Sequence, residues 1–209
     1  MSDDRASERG ALVDRLRDRL DVSERTLAAI GSVPRHEFVP ARLRSRAYDD
    51  RPLPIGHDQT VSAPHMVAVM IDLLEVGPGD RVFEVGTGCG YHAAVVAEIV
   101  GPGNVYSVEY VPALAESARE RLRRLGYEVT VRAGDGRQAF EDEAPFDAAY
   151  LTCAAPDGIP DPIVDRVRVG GRVVGPVADG AGQRLVRLRV TADGVEREDR
   201  GGVRFVPMQ

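Results

Sequence analysis

The run Glu84-Val-Gly86-Thr-Gly88-Cys-Gly90-Tyr91 constrains this chain more than any other stretch. A short apolar segment at 81–85 precedes it and a helical pattern at 91–100 follows, so three glycines occupy the turn between a strand and a helix. Glycine there lets the backbone turn tightly and approach a ligand, while the helix N-terminus offers free N–H groups and the positive end of its dipole. Such a unit needs neighbouring strands, and residues 105–109, 129–133, 146–152 and 172–177 read as strands. Between the first two of these, Pro112 suits a first helical turn, Leu114, Ala118, Leu122 and Leu125 form an apolar stripe, and Gly126 stops the helix. The rhythm predicts a Rossmann-like, doubly wound α/β fold with a mostly parallel sheet and right-handed crossovers. It breaks at the end. Leu185, Val186, Leu188 and Val190, a turn at Asp193-Gly194 and an extended piece at 203–207 have no helix between them, which predicts a C-terminal antiparallel hairpin.

The first 79 residues read as a helical extension. Leu12, Val13, Leu16 and Leu20 keep helical spacing, and Asp21-Val-Ser-Glu24 has the form of a capping box opening a second helix that ends near Gly31. Pro34, Pro40, Pro52 and Pro54 forbid a long helix in the connector that follows. Ser62-Ala-Pro-His then starts a helix with Ser62 as a natural N-cap and Met66, Val69, Met70, Leu73 and Leu74 on its apolar side, ended by Gly77-Pro-Gly79. At 209 residues the chain is expected to be one domain, 1–209, with 1–79 shaping a substrate cleft and 80–209 forming the cofactor-binding body.

Composition excludes several chemistries. All 27 basic residues are Arg, which removes lysine Schiff bases and phosphate-loop NTPases. A formal charge of −6 argues against nucleic acid as a partner. The charged opening Met-Ser-Asp-Asp-Arg is unlike a secretory signal, and no uncharged run approaches the roughly 18 residues of a membrane span, so a cytoplasmic protein is expected. Cys89 and Cys153, far apart and outside any Cys-x-x-Cys pair, carry no zinc signature.

Three acids follow three consecutive strands. Glu84 sits at the end of the first, where a pyrophosphate would disfavour it and a ligand carrying an ammonium and a sulfonium would favour it. Glu109 closes the next strand, 23 residues after Gly86, near the ~20-residue offset at which a carboxylate takes ribose hydroxyls. Asp135, in Gly134-Asp-Gly136, stands where it could meet an adenine amino group, although a turn Asp has the same appearance.

These residues resemble the class I S-adenosylmethionine methyltransferases. Pro52-Leu-Pro-Ile-Gly56 and Gln59-Thr-Val-Ser62-Ala-Pro-His-Met66 are similar to the signature of the protein-L-isoaspartate O-methyltransferase family. Further matches are Phe38-Val-Pro40, Ala144-Pro-Phe-Asp147, Ala154-Ala-Pro156, Gly170-Gly171 and Arg204-Phe-Val-Pro207, in order from about Val33 to the C-terminus. The resemblance implies methyl transfer from S-adenosyl-L-methionine, leaving S-adenosyl-L-homocysteine, to the free α-carboxylate of L-isoaspartyl residues in damaged proteins, without a metal. Gln59, Thr60, Val61, Glu84, Gly86, Gly88, Gly90, Glu109, Tyr110, Asp135 and Gly136 would hold the cofactor. Ser62 would be catalytic, and Ser62, Ala63 and Val206 would meet the substrate. The partners implied are isoaspartyl peptides and proteins, bound by a monomer. His57-Asp58 departs from the family pattern, which has an aromatic or small residue and Gly there; the Asp58 carboxylate is expected to face solvent.

An ionised carboxylate attacks unaided, so the lack of an obvious acid–base pair suits this reaction. A serine hydrolase is disfavoured because the Gly-x-Ser-x-Gly elbow is missing, and His36, His57, His65 and His92 lack metal-ligand spacing. A dehydrogenase would use Glu109 in the same way and stays open on the residues alone. So does a binding module that recognises carboxylate-bearing peptides without turnover.

Overall fold

In the computed structural model, which describes residues 5–180 and 182–209, seven strands form one sheet in the order 129–133, 105–109, 82–85, 146–151, 167–178, 183–191, 194–202. Four of the five opening residues read as unlike a signal therefore lie outside the described residues. The chain enters at β3 (Val82–Val85), moves outward through α4 (Tyr91–Val100), β4 (Val105–Glu109), α5 (Pro112–Arg124) and β5 (Val129–Ala133). It then returns to the other side of β3 with β6 (Phe146–Leu151), α6 (Asp161–Val164) and β7 (Val167–Ala178). The pairs β3–β4, β4–β5, β3–β6 and β6–β7 are parallel, as expected. The reversal places a topological switch point between β3 and β6, and open α/β sheets bind ligands outside the carboxyl ends of strands at that point.

The last two strands, β8 (Gln183–Thr191) and β9 (Gly194–Gly202), pair antiparallel. The hairpin forms as expected, but its second strand is 194–202 rather than 203–207. Residues beyond Gly202 run back toward the sheet centre, where Pro207 bridges Ala154 in parallel.

Alternation along the parallel strands divides the core. Val82, Ala148 and Tyr150 face a cluster built with α2 (Glu24–Ser32), α3 (Pro64–Leu74) and α4, which also takes Leu12 and Leu16 from α1 (Ala6–Arg19). Phe83, Val85, Ala149 and Leu151 face the opposite cluster. There Phe83 stacks on Phe146 with ring centroids 5.4 Å apart and meets Phe140 edge-on at 5.9 Å. Truncating such a buried ring costs about 3–5 kcal/mol.

Two caps differ from expectation. Ser23, not Asp21, caps α2, accepting the Thr26 N–H at 3.3 Å, while Asp72 of α3 accepts from both Ser23 N and Thr26 Oγ1. The capping residue of α3 is Ala63 rather than Ser62. Between these helices, the proline-rich connector folds into two short 3-10 turns, 35–37 and 41–46, and a hairpin of β1 (Leu53–Gly56) and β2 (Gln59–Val61). His57 and Asp58 form its two-residue turn with φ of 52° and 57°, the left-handed conformation that a type I′ turn requires. Both are exposed, so Asp58 faces solvent as anticipated.

Candidate active site

At the carboxyl ends of β3, β4 and β6 lies a cleft that, with its open mouth, encloses about 810 Å³. The glycine turn forms one wall. Gly86 and Gly88 line it with φ of 99° and 55°, and a Cβ on Gly86 would collide with Thr152 Oγ1. Gly90 stands behind this wall: at φ 87° it opens α4, and a side chain there would meet Leu122 of α5 at 3.1 Å.

Glu109 lines the cleft and is almost fully buried. Its Oε2 accepts the Gly88 N–H at 2.8 Å and its Oε1 the Val111 N–H at 3.0 Å. Each carboxylate oxygen has a second acceptor direction, so the pair retains capacity for the hydroxyls of a bound sugar. Tyr110 lines the same wall and is 53% exposed. Gly134 and Gly136 close the far end; a Cβ on Gly136 would come within 2.5 Å of Val85 Cγ1.

Glu84 and Asp135 are corrections to the sequence reading. Glu84 does not line the cleft. In the parallel register it stands directly beside Ser107 of β4 and Tyr150 of β6, all on the face covered by α4. The Tyr150 hydroxyl donates to Oε1 at 2.8 Å and the Ser107 hydroxyl donates to Oε2. Burial raises the Glu84 carboxyl to a pKa of about 7, with these two hydrogen bonds opposing the shift. Asp135, between the lining residues Gly134 and Gly136, is not itself in the lining; its carboxylate pairs with Arg137, whose Nη2 lies 2.7 Å from Oδ2 and whose side chain holds the carboxyl below its usual range.

From the other side the cleft is bounded by Gln59, Thr60, Val61 and Ser62, which leave β2 along its rim, and by Val206 to Gln209 of the C-terminal segment. The structure thus brings Ser62 and Val206 to one cavity from opposite ends of the chain. Ala63 is buried as the cap of α3 and contributes no lining.

Sequence reasoning passed over Thr87, Tyr91, His92 and Thr152, which also line the cleft. His92 is 5% exposed, packs at a tilt against Tyr150 with 4.4 Å between centroids and has no hydrogen-bond partner on either ring nitrogen among the described residues; burial lowers its pKa to about 3, so it is neutral. Its position two residues after the last glycine was the available signal. Cys89 and Cys153 both line the cleft as free thiols. Among the described residues, no group of three or more His, Cys, Asp and Glu side chains gathers to hold a metal ion.

The family model described as protein-L-isoaspartate(D-aspartate) O-methyltransferase matches residues 7–209. This chain belongs to that family. The protein-L-isoaspartate O-methyltransferase 2 of Archaeoglobus fulgidus is 51% identical over 203 residues, covering 96% of this chain and 92% of its own. A solved structure titled protein-L-isoaspartate O-methyltransferase superposes with a TM-score of 0.87 at 28% identity; the match covers 95% of this chain and 65% of that longer one. Another, from Plasmodium falciparum and titled a putative member in complex with S-adenosyl-L-homocysteine, has a TM-score of 0.82 at 24% identity, covering 96% of this chain and 98% of that one, and shows the shared fold. Within this isoaspartate methyltransferase, the two signature segments are the β1–β2 hairpin and its exit into α3.

Proposed function

We propose that the protein methylates the free α-carboxylate of L-isoaspartyl residues in damaged proteins, using S-adenosyl-L-methionine, as a repair step. Besides family membership, the observation that supports this most directly is the joining of a glycine-turn and Glu109 pocket to the Ser62 rim and the Val206 segment in one cleft. The cofactor fits the donor set: Gly86 and Gly88 leave room for close approach, Glu109 faces the sugar position, and Gly136 borders the base position. Tyr110 would cover the ribose, and Gln59, Thr60 and Val61 would close over the cofactor from the rim. Asp135 joins this set only if its carboxylate leaves Arg137. Glu84 would act from beneath the wall rather than by contact.

Bound there, S-adenosyl-L-methionine supplies an electrophilic methyl whose departure leaves a neutral thioether. The acceptor carboxylate, with a reference pKa of about 3.5, is ionised at neutral pH, so no residue of the chain needs to remove a proton. What the protein contributes is placement in line with the methyl, which is worth several kcal/mol, and exclusion of water. Ser62 donates a hydrogen bond that aims the carboxylate, and the backbone around Val206 pairs with the substrate peptide.

In this reading residues 1–79 shape the peptide side of the cleft and 80–209 the cofactor side. The protein would act as a monomer in the cytoplasm, without nucleic acid or membrane. The net charge of −6 argues for partners other than nucleic acid.

Methyl-labelled cofactor with paired peptides differing only in Asp or isoAsp tests the reading. A base-labile ester on the isoAsp peptide alone is the expected result. Equal labelling of both peptides would overturn it, and binding without labelling would favour a recognition module.

A further inference from the structure

The C-terminal wall of the cleft runs past the end of the strand that could hold it. β9 ends at Gly202, opposite Arg184, and β8 begins at Gln183, so only Gln183 of that strand is left to meet the chain beyond. It does so with both backbone and side chain. Its carbonyl accepts the Val203 N–H at 2.9 Å. Its side chain reaches on to Phe205: Oε1 accepts the Phe205 N–H at 2.6 Å, and Nε2 donates to the Phe205 carbonyl at 3.0 Å. Paired antiparallel strand residues exchange the same two bonds, and a primary amide carries the acceptor and the donor side by side. The Gln183 amide thus stands in for a strand residue that β8 does not have.

On the opposite edge of the segment, buried Ala154, just beyond β6, donates to the Val206 carbonyl at 2.8 Å and accepts the Met208 N–H at 2.8 Å. The segment is therefore held from both sides, and its last residues, Val206 to Gln209, line the cleft. Gln183 itself lies outside that lining. Among the described residues, no other backbone hydrogen bond is made between Val203 and Val206.

We propose that Gln183 is a positioning residue for the acceptor: its side-chain amide sets where the Val206 segment stands when the substrate peptide pairs with it. The proposal rests on the reading of that segment given above. Two bonds to one residue fix both its place and its rotation about the strand axis. Without them, the stretch from Arg204 to Phe205 has no hydrogen-bond partner, and Ala154 alone holds the wall.

Gln183→Met on the full chain keeps the length of the side chain and removes its two hydrogen bonds. It is expected to raise the KM for an isoaspartyl peptide about tenfold, with kcat and the affinity for S-adenosyl-L-homocysteine within roughly twofold of the wild type. An unchanged KM, or equal losses in all three, would overturn the proposal. Amide hydrogen exchange reads the same contact without turnover. The N–H groups of Phe205 and Met208 should exchange faster in the variant by about tenfold or more, while those of β3 keep their protection. Unchanged exchange, or acceleration confined to Phe205, would show that the wall stands without Gln183. Acceleration that reaches β3 would make Gln183 a residue of the fold, and either result would sink the proposal. Exchange decides this even if the wild type leaves the isoaspartyl peptide unmethylated, an outcome that would count against the proposed function instead.

Discussion

The Oε2 of Glu109 lies 2.8 Å from the backbone nitrogen of Gly88, tying the carboxylate that ends β4 to the glycine turn that follows β3. The acid and the turn form one unit: Glu109 accepts a donor from the turn and another from Val111 while facing the cleft.

Glu109→Gln replaces one acceptor oxygen by an NH2 group that cannot accept either backbone N–H. A hydrogen bond to a charged group contributes about 1.5–3 kcal/mol, so S-adenosyl-L-homocysteine should bind at least an order of magnitude more weakly. Calorimetric titration measures this, and unchanged affinity would remove Glu109 from the cofactor site.

Gly136→Ala forces a methyl to within 2.5 Å of Val85 Cγ1 and 3.0 Å of Cγ2. Val85 is buried and stiff about χ1, so overpacking should destabilise the fold by about 1–3 kcal/mol. The urea midpoint reports it, and cofactor affinity should fall with the displaced wall. An unmoved midpoint would show that Val85 yields freely.

Two buried groups give opposite pH dependences. Burial raises the Glu84 pKa to about 7 from its ordinary 4.5, so the native state holds a proton that the unfolded state releases, and its contribution to stability is lost as pH rises from 4.5 to 7. The His92 pKa is lowered to about 3 from 6.5, so the unfolded state binds the extra proton, and that contribution is lost as pH falls from 6.5 to 3. Between pH 4.5 and 6.5 the two slopes cancel. Glu84→Gln should therefore expose stability that rises with pH, and His92→Gln stability that falls with pH, each by about 1.4 kcal/mol per pH unit. Denaturant titrations at pH 4.5, 5.5 and 6.5 check both; parallel curves for both variants would contradict the assignment.

Asp58→Gly places glycine where the turn demands a left-handed residue and touches nothing in the cleft. Relief of that conformation, less the backbone entropy glycine adds, should raise stability by about 0.5 kcal/mol or more, with methyl transfer unchanged. Thermal melts and the peptide assay together test it. A fall in activity would give Asp58 a role in substrate selection.

The parts of the fold that were legible are those whose periodicity reports burial. β4, α4 and β5 lie where apolar spacing put them, since a two-sided parallel strand and a packed helix leave different repeats. β9 left no such trace. Val195 is followed by Glu196, Arg197, Glu198, Asp199 and Arg200, all exposed, and backbone pairing with β8 holds the strand rather than a buried face. α6 is a four-residue turn containing Pro162, too short to show a stripe.

The site divides along the same line. Sequence alone determined the glycine turn, the Gln59-to-Met66 signature and the placement of three acids after three strands, because each is a local pattern of residue type and spacing. Tertiary structure decided which acid meets the cleft. Glu109 ends its strand facing the cavity, Glu84 lies one pleat earlier between Ser107 and Tyr150, and Asp135 is held by Arg137. It also decided that Ser62 is not the cap of α3: Ala63, extended before Pro64, holds that position, and Asp50 from the preceding connector accepts the His65 N–H. Where a side chain points and what competes for its hydrogen bonds depend on neighbours supplied by other strands and turns, and no local pattern contains them.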